Sequence, residues 1–175
     1  MILRAIAFIS ILGAATLLRA QSEPTALKRL DLKVGGSFST ANSDYGGRYN
    51  GGAAFVNADL TPHLGIEGAF HFVKDSSNLY EKTYEVGGRY FRTYRKWVPY
   101  AKVMYGRGVF NFPAQSNGVH PNLAYNLVAA GIGVDYKVKR YLYVRGDWEY
   151  QHWLGFENSS LSPSILSIGA SYHFK

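Results

Sequence analysis

The segment Ser164–Phe174 alternates between two kinds of side chain. Its positions at every second residue from Leu166 to Phe174 are apolar, while the positions between them are mostly small or polar. Because successive side chains of a strand point to opposite faces, the segment predicts a strand with one apolar and one polar face. The apolar face ends in two aromatic residues, Tyr172 and Phe174. Such a strand needs an apolar environment on one side only, and this limits the folds open to the chain.

The same alternation recurs in seven earlier segments. Each is about ten residues long, the length that a tilted strand needs to cross a bilayer. An even number of strands can close into a meander that leaves no unpaired edge. We therefore predict an all-β fold, an eight-stranded antiparallel up-and-down transmembrane β-barrel, with a soluble sandwich or a lipocalin-like barrel as the alternative. The predicted strands are Leu30–Ser39, Gly52–Leu60, Leu64–Val73, Tyr80–Phe91, Val98–Phe110, Leu123–Tyr136, Tyr141–Trp153 and Ser164–Phe174.

The connections between these strands alternate in length. Short turns on one side and longer loops on the other are typical of outer membrane barrels. Within the fifth strand, the glycines Gly106 and Gly108 predict a bulge. The predicted short turns are Thr61–His63, Arg92–Trp97 and Lys137–Arg140, and the connections at the other end are Ala41–Asn50, Lys74–Asn78, Asn111–Asn122 and Leu154–Pro163, of which only Lys74–Asn78 is short.

The polar strand faces carry many ionisable residues. In a membrane barrel these faces point inward, where opposite charges neutralise each other in a narrow interior. The predicted lumen charge network is Asp31, Lys33, Asp59, Glu67, Glu85, Arg89, Lys102, Arg145, Asp147 and Glu149.

Aromatic residues lie toward the ends of the apolar faces, a placement typical of the girdles at membrane interfaces. The predicted girdle has two rims. It consists of Tyr90, Tyr136, Tyr172 and Phe174 at one rim and Phe38, Phe72 and Trp148 toward the other.

The N-terminus predicts a secretory signal peptide over residues 1–20. Arg4 supplies the positive charge, and Ala5–Leu18 is an apolar stretch too short to cross a membrane as a helix. Cleavage is expected after Ala20, with a cut after Ala15 or an uncleaved anchor as alternatives. Residues 21–29 form a periplasmic lead-in, and residues 30–175 form the outer membrane barrel domain. Loss of Arg4 and Arg19 lowers the formal charge of +7 to +5.

Basic residues concentrate at the end with the short turns. There they would face the phosphates of membrane lipids, although the same charges also serve to keep turns soluble. They are not interleaved with stacking aromatics, so nucleic-acid binding is not expected. The chain has no cysteine, and its histidines lack a common ligand spacing, so no metal and no cofactor are predicted. The basic residues are Lys28, Arg29, Arg92, Arg95, Lys96, Lys137, Lys139, Arg140 and Lys175.

The chain resembles the OmpA-like/opacity family of eight-stranded outer membrane barrels over Leu30 to Phe174. The motifs that carry the resemblance are LDLKVGGSF, VPYAKV, AGIGVDY, LYVRGDWEY and the final SIGASYHF. The resemblance implies recognition of the last strand by the barrel-assembly machinery, although here Phe174 is followed by Lys175. It also suggests a role in membrane integrity, adhesion or contact with other surfaces. We expect an outer membrane location and a monomer. The peptidoglycan-binding domain that follows the barrel in full OmpA proteins is not expected here.

We predict a structural or surface-interaction protein rather than an enzyme, with its role carried by the loops at Asn111–Asn122 and Leu154–Pro163. Eight strands leave room only for side chains, so a general diffusion pore is not expected. One alternative is a lipid A deacylase built on His152, Glu157, Ser159 and Ser160. Such enzymes place a serine two residues after the histidine, where this chain has Leu154. The other alternative is a narrow ion conductor that uses Lys102, Arg145, Glu85 and Glu149.

Overall fold

The computed structural model describes residues 31–43, 47–75, 79–111, 122–155 and 161–174. They form a closed barrel in which each strand pairs antiparallel with its neighbours in sequence, and β1 closes onto β8. The fold prediction is confirmed. The strands are β1 (Asp31–Ser43), β2 (Gly47–Asp59), β3 (Leu64–Lys74), β4 (Tyr80–Phe91), β5 (Trp97–Asn111), β6 (Asn122–Lys139), β7 (Leu142–Leu154) and β8 (Ser164–Phe174).

The two ends of the barrel differ. We call the end that holds the start of β1 and the finish of β8 the terminal end, and the opposite end the loop end. None of the described residues belongs to a helix long and apolar enough to cross a membrane. The predicted signal peptide and lead-in, together with most of the two long loops, lie outside the described residues.

The predicted loop Ala41–Asn50 is wrong. Strands β1 and β2 continue through most of it as a paired hairpin, so that Ala41 lies opposite Tyr49. Both side chains are fully buried inside the barrel. Cross-strand pairing and burial therefore outweigh the low strand propensity of the Asn, Ser and Gly residues around them. Only residues 44–46 separate the two strands, and they lie outside the described residues.

The predicted bulge in β5 is also wrong. Gly106 pairs in unbroken register with Glu85 on one side and Leu127 on the other. The irregularity lies instead between Lys137 and Lys139, where β6 continues into the predicted turn. The β5 glycines serve close packing: a Cβ on Gly108 would approach the ring of Trp153 to less than 3.0 Å.

The outer surface of the barrel is apolar along most of its height. Val103 is 69% exposed and Ile168 is 65% exposed, whereas Arg89 and Glu149 on the alternate positions are buried. A soluble sandwich or lipocalin-like barrel would show the reverse arrangement, because water would solvate the charges and the apolar side chains would form the core.

The interior has three layers. Ionisable side chains fill the middle, and apolar side chains lie on either side of them. The terminal-end cluster is Phe91, Val98, Tyr100 and Tyr143. The loop-end cluster is Ala41, Tyr49, Val73, Met104, Phe110, Leu127, Ala129, Trp153, Leu161 and Ile165.

The outer surface also changes near the loop end. There the outward positions become polar while the inward positions are largely apolar, so the two faces exchange their character relative to the middle of the barrel. The exposed polar residues at this level include Asn42, Arg48, Asn50, Lys74, Arg107 and Asn126.

Candidate functional site

The middle layer of the interior is organised around Lys102 of β5. Its ammonium nitrogen lies 3.1 Å from Glu67 Oε1, 2.9 Å from Asp147 Oδ1 and 2.8 Å from Glu149 Oε2. These carboxylates come from β3 and β7, so the lysine links opposite walls of the barrel. The inward direction follows from the period of two along each strand.

Arg145 of β7 forms a second centre beside Lys102. Its guanidinium pairs with Glu67 Oε2 at 3.0 Å and with Asp135 Oδ1 at 2.8 Å. Arg89 Nη2 lies 2.5 Å from the other oxygen of Asp135. Arg145 Cζ lies 3.8 Å from the ring centre of Phe55, so the positive charge of the guanidinium meets the face of the aromatic ring. Hydrogen bonds and packing thus hold both arginines in fixed orientations.

Glu85 and Glu149 meet above this centre, toward the loop end. The Gln151 amide donates to Glu85 Oε1 at 2.8 Å and to Glu149 Oε1 at 2.9 Å. The Thr83 hydroxyl donates to Glu85 Oε1 at 2.5 Å. His71 is buried beside the two carboxylates, and neither ring nitrogen has a hydrogen-bond partner among the described residues. One ligand atom each from His71, Glu85 and Glu149 lie within 4.8 Å of one another.

These contacts define the central network: Glu67, Glu85, Arg89, Lys102, Asp135, Arg145, Asp147 and Glu149. Five carboxyl groups face three cationic groups in it, which leaves a formal excess of two negative charges. All eight side chains belong to buried residues. A cavity of about 10 Å³ beside Glu67 and Lys102 is large enough for a single water molecule.

The remaining residues of the predicted charge network lie nearer the terminal end. Lys33 pairs with Asp59 at 2.5 Å, next to the terminal-end cluster, where its ammonium also faces the ring of Tyr143. Asp31 pairs with His173 of β8. The ten predicted residues are therefore divided between the central network and these two separate pairs.

Sequence reasoning missed Asp135, which contacts both arginines of the central network. Its signal was available, because Asp135 lies on the polar face of β6 between Val134 and Tyr136. It also missed the meeting of His71, Glu85 and Glu149. These residues come from three strands, so no spacing along one segment could show them together.

Aromatic side chains surround the terminal end on the outside. Trp97 and Tyr136 have ring centres 4.6 Å apart, and Tyr172 lies 5.6 Å from Tyr141 and 4.8 Å from Phe174. Trp97 and Tyr141 are additions to the predicted girdle. Of the predicted residues, Phe38, Tyr90, Trp148, Tyr172 and Phe174 are exposed, and Phe72 and Tyr136 are half-buried.

The residues considered for a hydrolase do not form a catalytic group in the described part of the chain. His152 lies on the outward face of β7, where its Nδ1 is 3.3 Å from the Ser162 hydroxyl. Leu154 occupies the next outward position. Glu157, Ser159 and Ser160 lie outside the described residues.

Comparison with known proteins gives consistent results. Residues 6–174 match the family described as outer membrane protein beta-barrel domain. No curated protein matched the sequence. Among solved structures, Ail, the attachment invasion locus protein of Yersinia pestis, is 17% identical with a TM-score of 0.58, covering 82% of this chain and 97% of Ail.

Two further solved structures are similar. Neisserial surface protein A is 14% identical with a TM-score of 0.64, covering 83% of this chain and 97% of that protein. OprG from Pseudomonas aeruginosa is 13% identical with a TM-score of 0.62, covering 83% of this chain and 96% of that protein. At sequence identities this low, the similarity to these structures shows the fold alone.

Proposed function

The chain belongs to the family of outer membrane protein β-barrel domains, and from this membership we propose a small outer membrane barrel with a plugged lumen whose role is carried by its external loops. That role is membrane integrity or adhesion, and it involves no enzymatic step. The observation that supports the proposal best is the layered interior, in which the central network lies between two apolar clusters.

A plugged lumen follows from the cost of opening it. Ions could pass only if Lys102 and Arg145 separated from Glu67, and the carboxylates left behind would have no partner in a medium of low dielectric constant. The loop-end cluster adds a mostly apolar barrier, in which few groups besides the buried Glu81 could replace water of hydration. A narrow conductor would need a continuous polar path through this layer.

Planar bilayer recordings test the plug. We expect no conductance steps from the folded protein over a wide voltage range. Trp153→Ala and the outward control Trp148→Ala should be recorded in parallel, because Trp153 lies in the loop-end cluster and Trp148 does not. Reproducible steps from the unmodified barrel that change in Lys102→Met would contradict the proposal, because they would show that ions pass through the central network.

The loop end is proposed to face the cell exterior. The exposed basic residues at the terminal end, such as Arg92, Lys96 and Arg140, would then lie near the lipid phosphates of the inner leaflet. The chain has no cysteine, so single cysteines can be labelled with a membrane-impermeant maleimide. We expect Arg48→Cys to react on intact cells and Arg95→Cys to react only after the envelope is opened. The reverse pattern would invert the orientation.

The contact surface is proposed to lie in the two long connections, residues 112–121 and 155–163. The solved structures similar to this chain include Ail, whose structure was also determined with the heparin analogue sucrose octasulfate. Each connection should be replaced separately by a short Gly-Ser linker in the full barrel. We expect loss of cell attachment, with unchanged heat-modifiable gel migration as proof of folding. If attachment persists and detergent sensitivity rises only when the whole protein is removed, the role is membrane integrity instead.

The export steps are proposed as the sequence predicts them. Residues 1–20 would be removed, and the final strand ending in Phe174 would be read by the barrel-assembly machinery before the monomer enters the membrane. Mass spectrometry of the protein purified from outer membranes should give a chain that begins at Gln21. An intact N-terminus would contradict the cleavage.

A further inference from the structure

We propose that His71, Glu85 and Glu149 form a buried binding site for a divalent transition-metal ion of the Zn²⁺ class inside the barrel. The site is distinct from the proposed loop surface and would exist whether or not the loops bind a partner. Imidazole nitrogen and carboxylate oxygen are suitable ligands for zinc.

The geometry of the three side chains supports this assignment. Their candidate ligand atoms lie within 4.8 Å of one another, and side-chain adjustments of about 1 Å would bring them to zinc–ligand distances of about 2.0–2.2 Å. His71 is 4% exposed, and no described group bonds either of its nitrogens. An imidazole buried without partners is costly, and coordination through one ring nitrogen would remove part of that cost.

The surrounding hydrogen bonds present the carboxylates to an ion. Gln151 donates to the Oε1 atoms of both Glu85 and Glu149, and Thr83 donates to Glu85 Oε1. Glu85 Oε2 has no hydrogen-bond partner among the described residues, whereas Glu149 Oε2 faces the Lys102 ammonium. Partners that hold one oxygen of a ligating carboxylate are a usual feature of metal sites, because they fix the orientation of the ligand.

Charge also favours a divalent cation at this position. The central network carries a formal excess of two negative charges, and an ion with two positive charges would balance it. The Lys102 ammonium lies 2.8 Å from Glu149 Oε2, where it would compete with the ion. Lys102 also pairs with Glu67 and Asp147, so it can leave Glu149 without losing all its partners.

The loop-end cluster covers the site on one side, so an ion would enter most readily while the barrel forms. The untagged full barrel should therefore be refolded from urea into detergent with equimolar ZnCl₂, passed through a chelating column, and analysed for zinc by mass spectrometry. We expect about one zinc per folded barrel and a higher urea midpoint than after refolding with a chelator. Less than a tenth of an equivalent of zinc, with no shift in midpoint, would overturn the proposal.

Matched variants identify the ligands. His71→Phe and Glu85→Gln should each retain less than a tenth of the zinc of the unmodified barrel. His173→Gln is the control, because His173 is also buried in the interior but pairs with Asp31 at the terminal end. Folding of every variant is checked by heat-modifiable migration, and binding in folded Glu85→Gln decides the outcome if His71→Phe does not fold. The assignment would be overturned if Glu85→Gln retained as much zinc as the unmodified barrel. It would also be overturned if His173→Gln lost as much zinc as the ligand variants.

Discussion

Replacing Arg145 by methionine would remove the cation that joins β7 to Glu67 and Asp135. The methionine keeps most of the aliphatic volume, so the change concerns charge more than packing. The two carboxylates would lose their shared partner, and the formal charge excess of the central network would grow from two to three. The contact between the guanidinium and the ring of Phe55, at 3.8 Å, would also be lost.

The expected loss in free energy of unfolding is about 4 kcal/mol. Removing one partner of a buried ion pair costs about 3–5 kcal/mol, because the remaining charge stays buried without compensation. A loss of about 4 kcal/mol corresponds to a change of about 700-fold in the unfolding equilibrium. The measurement is urea unfolding in lipid vesicles, followed by tryptophan fluorescence and by heat-modifiable gel migration.

The control is the same substitution at Arg107, whose side chain is exposed on the outside of β5. We expect Arg107→Met to change stability by less than about 0.5 kcal/mol. The double variant Arg145→Met, Glu67→Gln should lose less than the sum of the single variants, by about 0.5–3 kcal/mol, because it removes both charges of one pair. A cost for Arg145→Met no larger than that of Arg107→Met would refute the reasoning, since it would show that water solvates the interior.

Five further substitutions, two of them controls, test packing and the outer surface. Gly108→Val should reduce the folded fraction on a heat-modifiable gel, because its Cβ would collide with the Trp153 ring, whereas Gly88→Ala, with no atom within 4 Å of its new Cβ, should fold normally. Trp153→Ala should lower the urea midpoint by an amount equivalent to about 3–5 kcal/mol, as expected for a large buried side chain. Ile132→Arg, on the outer face of β6, should cost about 2–4 kcal/mol in vesicles, and Tyr141→Arg at the terminal end about 0–1 kcal/mol. Equal costs at the last two positions would contradict a lipid environment that varies with depth.

The period of two in the sequence was sufficient to predict the barrel. It placed Arg89, Lys102 and Arg145 on the inward face and Val103 and Ile168 on the outward face, where the structure has them. The bounds of β4 and β8 follow the sequence pattern directly. Period and register determine these features because a slip of one residue would move every side chain of a strand to the wrong face.

The ends of the strands could not be read in the same way. Residues such as Asn42 and Arg48 indicate a loop by composition, yet they face outward on paired strands whose inward neighbours, Ala41 and Tyr49, are buried. The pattern there is still alternating, but its apolar half points inward. A prediction that assumes polar residues on the inward face along the whole strand therefore ends the strand too early.

The pairing of side chains inside the barrel could not be predicted from the sequence for another reason. Asp135 lies directly opposite Arg145 on the neighbouring strand β7, but its pairing with Arg89 of β4 depends on how non-adjacent strands face each other across the barrel. Contacts across the lumen are set by closure and strand tilt, and neither is encoded by a single segment.

The exchange of polar and apolar faces at the loop end gives the barrel a height beyond the bilayer. About 9–11 tilted residues suffice for the crossing, whereas β5 has 15 residues and β6 has 18. At about 3.3 Å per residue along tilted strands, the surplus amounts to a projection of the β5–β6 hairpin on the order of 10 Å. The projection is local to this hairpin, because β3 and β8 have only 11 residues each. The loop that follows Asn111 therefore begins at a distance from the membrane surface. Shortening β5 and β6 would reduce this distance, whereas substitutions in the loop would leave it unchanged.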